Sequence, residues 1–446
     1  MKRTFLLLAA AAMSFAACKS NIKPETPSKG DANFSVYVAI GNSLTAGFAD
    51  GTLYRSGQVN SYPNMLAQQF QLVGGGEFKQ PLLPGESGWP IALAAGFYPK
   101  RVLGYSTDCL GTTSLGPVLY SGSWADTAGS GTNIAAGGPY NNLGIPGIKC
   151  IHYGVTGYGM LNPYAARFYS NPSGQSPMDV ALAQPATFYS VWLGSNDVLA
   201  YATSGGEGVV GGTGANDISP VAAFKAIYDG LIDKLMAKGA GGVLINVPDV
   251  TSVPYFTTIN PKGLNLSAAQ AQGLNAAYAQ LGLPITFTEG ANYFVIADPA
   301  APGGVRKMLS GEYVLLTTPG DSLKCGGWGS MKPIPTRYVL TLKEITNIKE
   351  ATDAFNRIIA DNAAKYNLAL MDANTYLKTL STGITWDGVT YSPAFVTGGA
   401  FSLDGVHLTP RGYALVANEV LRVINARYHA TIPAVEINKY SGIKFP

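Results

Sequence analysis

Short apolar runs that end at glycine alternate along this chain with longer stretches in which apolar residues return every three or four positions. Phe34 to Ile40, FSVYVAI, is β-branched and aromatic and stops at Gly41, the pattern of a buried strand. Tyr62, Met65, Leu66 and Phe70 then recur at helical spacing. ATFYSVWL from Ala186 to Leu193 and GVLINV from Gly242 to Val247 predict two more buried strands. The segment between them predicts a helix with Ser219 as N-cap, Pro220 in the first turn, Phe224, Tyr228, Leu231 and Leu235 on one stripe, and Gly239 just past its end. Ile348, Thr352, Phe355 and Ile359 form another helical stripe before the strand-like Leu368 to Asp372. A last helix opens at Thr409-Pro410 and turns Tyr413, Val416, Val420 and Ile424 inward.

Alternating strands and helices imply a parallel sheet covered on both faces, a flavodoxin-like three-layer α/β/α fold. Two regions break the rhythm, about 75–140 and about 250–345. The first is rich in Gly and Ser, the second mixes short apolar runs with Gly and Pro, and both are read as insertions into a domain spanning 34–430, followed by a tail over 431–446. In an open parallel sheet ligands bind beyond the carboxyl ends of the strands, so insertions leaving those ends would wall a substrate pocket.

Composition narrows the class. With 47% hydrophobic and 13% charged residues the chain is globular, and a net charge of +3 without a Lys/Arg run leaves no footprint for nucleic acid. The first seventeen residues read as an export signal: Lys2 and Arg3, then an apolar stretch from Phe5 to about Ala17, too short to span a bilayer. Ser14-Phe15-Ala16-Ala17-Cys18 resembles a bacterial lipobox, which implies lipidation of Cys18. Residues 18–33 then form a polar tether with Pro24 and Pro27, and the expected location is the outer membrane, on its periplasmic or cell-surface side. Of the remaining cysteines, Cys109 and Cys150 are a candidate pair that would leave Cys325 over, although spacing does not decide connectivity. No Cys-x-x-Cys or histidine set suggests a metal, and no cofactor motif is present.

Four blocks at predicted element ends carry chemistry. Gly41-Asn42-Ser43-Leu44 follows the first strand directly, which exposes Ser43 at a strand's carboxyl end. Asn141-Asn142-Leu143-Gly144-Ile145-Pro146-Gly147 and Gly194-Ser195-Asn196-Asp197 offer glycine N–H groups and an asparagine amide; together with the N–H of Ser43 these suit a hole for the oxyanion of acyl transfer. Asp404-Gly405-Val406-His407 precedes the last helix and supplies a base with a carboxylate three residues away to hold its other ring nitrogen. Of the other histidines, His152 has no carboxylate nearby in sequence and His429 sits in the tail of the last helix.

This set, in this order, resembles the SGNH hydrolases, also called GDSL lipases and esterases, over nearly the whole mature chain. The resemblance implies a Ser43, His407, Asp404 triad and an oxyanion hole of Ser43, Gly147 and Asn196, with Gly144 as the alternative glycine. It implies hydrolysis of a carboxylic ester without cofactor or metal, on a lipid, a small ester or an acetylated sugar. Asn42 replaces the family's aspartate. A literal Gly320-Asp321-Ser322-Leu323 also occurs, but it follows Pro319 in a turn context and lacks a later Gly-x-Asn-Asp block, so Ser322 is read as a decoy. The competing class is a surface lipoprotein that binds glycans or a protein partner without turnover.

Overall fold

The computed structural model describes residues 26–89 and 98–446; the expected export signal and Cys18 lie outside them. Its frame consists of β1 (Tyr37–Gly41), α1 (Ser43–Ala46), α2 (Tyr62–Gln71), β2 (Arg101–Thr107), β3 (Thr113–Leu119), β4 (Asn142–Gly144), β5 (Phe188–Trp192), α3 (Asn196–Thr203), α4 (Val221–Met236), β6 (Gly241–Ile245), α5 (Gly320–Lys324), α6 (Leu342–Lys365), β7 (Ala369–Met371), α7 (Ala373–Ser381) and α8 (Pro410–Tyr428). Five strands form one parallel sheet in the order β7-β6-β5-β1-β4. Every residue of β1 and β5 is buried, as a sheet covered on both faces requires.

The covering helices pack through aromatic pairs. On one face Phe70 of α2 stacks on Phe34 at 4.0 Å, and Tyr428 of α8 meets Phe188 edge-on at 5.5 Å. On the other, Phe224 of α4 stacks on Phe355 of α6 at 4.1 Å. The expected three-layer architecture is therefore present. Helix α4 begins one residue later than expected: Pro220 is extended (ψ 128°) and serves as the cap, while Ser219 is drawn inward, its N–H donating to the Asp197 carbonyl.

Register fixes what the frame presents. Gly41 lies opposite Gly144 on one side and Trp192 on the other, so β1, β4 and β5 end in one row. The chain leaving that row reaches Ser43, Gly147 and Asn196. β4, only three residues long, was legible as a glycine turn and not as a strand. It is held by Asn142, whose side chain donates to the Thr45 carbonyl at 2.9 Å and accepts from the Gly144 N–H at 3.0 Å.

Elsewhere the strand and helix alternation is interrupted twice. Residues 101–119 form the antiparallel hairpin β2–β3, and residues beyond 250 build small cores of their own, one around Phe294, Ile296, Val314 and Ile334. The two meet at the hairpin tip, where Cys109 is disulfide-bonded to Cys325 and Asp108 pairs with Lys324 at 2.7 Å. The Cys109 and Cys150 pairing is thus corrected. Cys109 stands on an exposed hairpin, whereas Cys150 is a free thiol buried in the main core. Residues 28–32, within the segment expected to be a tether, dock on the end of α8: the Asp31 N–H donates to the Tyr428 carbonyl and the Thr431 N–H to the Ser28 carbonyl. These are backbone bonds, which composition does not reveal.

A β-carbon on Gly144 would stand 2.3 Å from the Ala46 nitrogen and 2.7 Å from the Thr45 carbonyl carbon. Gly144→Ala must therefore push β4 away from the turn that carries Ser43. We expect a loss of about 1–3 kcal/mol, read as a Tm lowered by several degrees; an unchanged Tm would show that the edge strand yields freely.

Candidate active site

Ser43 is the first residue of α1, a single turn capped by Asn42, whose Oδ1 accepts the Leu44 N–H at 3.0 Å. An aspartate would accept the same bond, so the exchange of acid for amide at position 42 leaves the turn intact. The N–H of Ser43, at a first helical position, has no acceptor within the turn. Its Oγ lies 2.9 Å from His407 Nε2, across 364 residues of sequence. His407 Nδ1 lies 2.9 Å from Asp404 Oδ2. Both side chains are largely buried, 14% and 10% exposed.

Asp404 is held from every side. Oδ1 accepts from the N–H groups of Val406 and His407 and from Ser402 Oγ, and Oδ2 accepts the Gly51 N–H at 2.8 Å. Burial alone would raise this carboxyl; the attraction it would exert on a protonated His407 and the His407 and Val406 N–H donors outweigh it and hold it well below the usual carboxylate range. The loop carrying Gly51 is itself fastened to the acid loop. Asp50 Oδ1 accepts the Leu403 N–H, Oδ2 accepts from Tyr54, and the Asp50 N–H donates to Ser402 Oγ. On the other side Phe48 packs its ring 4.5 Å from the imidazole, while its carbonyl accepts from Tyr413. Phe48, Asp50, Gly51 and Ser402 were not singled out from the sequence, although Asp50-Gly51 is a recognisable turn pair directly after the serine block.

The remaining predicted donors fall into place differently. Asn196 opens α3 and donates one amide proton to the Ile148 carbonyl at 2.9 Å, which leaves the other free. It lines a narrow cavity of about 40 Å³ with Ser43, Leu199, Val250 and His407. The Gly144 N–H is taken by Asn142, whereas Gly147 lies exposed on the following turn with no acceptor for its N–H among the described residues. Gly147 does not itself line the narrow cavity; it is tied to it through Ile148 and Asn196. Asp197, beside Asn196, is buried and accepts the Cys150 N–H at 2.7 Å; burial pushes its carboxyl up to about 6.

Two larger spaces flank the relay. An apolar cleft of about 70 Å³, lined by Trp192, Met371, Tyr376 and Leu415, shares Leu44, Pro248, Val253 and Val406 with the cavity at Ser43. Beyond His407 opens a cavity of about 410 Å³ bounded by Phe48, Arg101, Tyr255, Leu316 and Phe395.

The alternatives lie apart. Ser322 sits in α5 beside the disulfide, its carbonyl accepting from Trp328, and no histidine bonds it. His152 accepts the Lys149 N–H, and His429 caps α8 and pairs with Asp31 at the surface. Among the described residues no three His, Cys, Asp or Glu side chains are placed to hold a metal.

A model of the GDSL-like lipase/acylhydrolase family matches residues 37–420. The chain belongs to this family. Similar solved structures include one described as a GDSL-like lipase from Parabacteroides merdae ATCC 43184, with 12% identity over 90% of this chain and 99% of that one, at a TM-score of 0.34. An extracellular lipase from Streptomyces rimosus shows 13% identity over 88% and 99%, at a TM-score of 0.33. No curated protein matches the chain. Membership supports ester hydrolysis at the level of the family.

Asp197 makes this GDSL-like chain sensitive to acid in a stated direction. An unfolded carboxyl titrates near roughly 3.9, so the folded state takes up this proton first as pH falls from about 6. The folded state therefore carries a buried-charge penalty above pH 6 that is relieved between about 6 and 4. Between pH 7 and 5 the wild type should gain stability relative to Asp197→Asn, which does not titrate. Denaturation curves that stay parallel across that range would count against it.

Proposed function

We propose that the protein hydrolyses carboxylic esters by acyl transfer through Ser43. The observation that carries this reading is the relay from Ser43 Oγ to His407 Nε2 and from His407 Nδ1 to Asp404, each contact 2.9 Å. His407 takes the Ser43 proton as Oγ attacks the ester carbonyl; Asp404 fixes the ring and stabilises the imidazolium. The Ser43 N–H, the Gly147 N–H and the free amide proton of Asn196 receive the oxyanion. His407 then returns the proton to the departing alcohol oxygen. Water repeats the sequence on the acyl-serine to release the acid.

The apolar cleft beside Ser43 supports an aliphatic acyl group on that side. The alcohol then lies on the His407 side, because His407 must protonate it. We further propose that export and lipid attachment at Cys18 place the domain on the outer membrane, on its periplasmic or cell-surface side.

Two measurements test these readings. In hydrolysis of short-chain p-nitrophenyl esters and labelling by a fluorophosphonate, Ser43→Ala should lose both and Ser322→Ala neither, while Asn196→Ala should lower kcat by roughly 10²–10³. Labelling that survives Ser43→Ala would assign the nucleophile elsewhere. For the anchor, a labelled fatty acid should be incorporated by the full chain and lost in Cys18→Ala; equal incorporation by both would remove Cys18 from the proposal.

A further inference from the structure

The cavity beyond His407 contains one fixed positive charge that the relay does not use. Arg101 is half-buried at the start of β2, and its backbone N–H donates to the Asp50 carbonyl at 2.8 Å. Its guanidinium lies against Gly51, which has a left-handed φ of 82°: a β-carbon there would stand 2.0 Å from Nη1 and displace it. Among the described residues no protein acceptor forms a hydrogen bond or ion pair with that guanidinium. The neighbouring carboxylates are already engaged, Asp404 by His407, Gly51, Val406 and Ser402, and Asp50 by Leu403 and Tyr54. Lys100, next in sequence, sits over the Tyr54 ring at 4.9 Å and not in this cavity.

The hairpin that carries Arg101 is also fastened at its far end by the Cys109–Cys325 disulfide and the Asp108–Lys324 pair. A guanidinium offers a planar fork of N–H donors suited to carboxylate or phosphate. Held on a hairpin fixed at both ends, with no acceptor bonded to it among the described residues, it is set up for an acceptor arriving from outside. Arg101 also borders a second cavity, of about 270 Å³, with Lys100 and Tyr54, but Gly51, against which its Nη1 lies, lines the cavity shared with His407 and not the second, so a partner at Nη1 sits where the leaving alcohol lies.

Resting on the esterase reading, we propose that Arg101 binds an anionic group, a carboxylate or a phosphate, on the alcohol part of the substrate. The preferred substrate is then an ester of an acidic alcohol, with the apolar acyl part and the charged alcohol part on opposite sides of Ser43 and His407. Arg101 is a specificity-determining residue that touches substrate away from the reacting atoms.

The test compares 4-acetoxybenzoate and 4-acetoxyphenyl phosphate with neutral 4-acetoxybenzamide in the parent, Arg101→Gln and Arg101→Lys. The readout is kcat/KM for each anionic ester divided by that for the amide, a ratio in which any partial loss of folded protein cancels. Arg101→Gln should lower the ratio by roughly ten- to a hundredfold, through KM, for at least one anion, and the one most affected identifies the group. Arg101→Lys should recover part of it. A ratio unchanged in Arg101→Gln for both anions overturns the proposal, whether or not the separate rates fall. Absence of turnover of every ester by the parent would defeat the esterase reading instead. Arg101 is then judged by calorimetric binding of benzoate and phenyl phosphate to Ser43→Ala with and without Arg101→Gln. Binding weakened by the second change supports the site, and equal binding overturns it.

Discussion

The buried carboxylate of Asp404 is the junction on which the site depends. An unpaired charge in a protein interior is costly, so it must be met by donors. The donors here come from two places: the turn that Asp404 itself begins, and Gly51 at the far end of the serine loop. Satisfying the charge therefore draws together two segments some 350 residues apart. Once Asp404 is fixed, His407 has one orientation, and that orientation points Nε2 at Ser43. Asp50 braces the same junction from the other side through the Leu403 N–H.

Much of this was readable from the chain. The strands at 34–40, 186–193 and 242–247 announced themselves because a buried parallel strand has no polar face, and Ser43, Asn196 and His407 each stood where such an element ends or begins. Their joint meaning came from four blocks in order, since each block alone is ordinary turn chemistry. What stayed hidden depends on contacts between distant backbone groups. β4 is too short to show a period, and its pairing with β1 is a matter of register. The Cys109–Cys325 bridge links two insertions, and nothing in the spacing of three cysteines reveals that a hairpin arches over to meet α5. Arg101 gave no signal because its place beside Gly51, fifty residues earlier, is a contact that only the fold makes.

The spaces around the relay differ in character. The cleft beside Ser43 is lined almost wholly by side chains without a polar atom to offer, whereas the cavity beyond His407 combines aromatic walls with a cation. The first wall comes from the sheet ends and from α7 and α8, parts of the common frame. The second comes mostly from the insertions and the loops they pack on. On the proposed esterase reading the frame supplies the chemistry and one half of recognition, and the added segments supply the other half.

The docking of residues 28–32 against the end of α8 decides from which side the chain reaches the domain. Tyr428, where that docking occurs, also bonds Gly242 at the start of β6, so the chain enters the domain at the pole where strands begin. The relay stands at the opposite pole, where strands end. The entry of the chain and the relay thus occupy opposite ends of the same strands, so a pull on the residues before Ser28 reaches the sheet from behind and leaves the mouth beside Ser43 unobstructed.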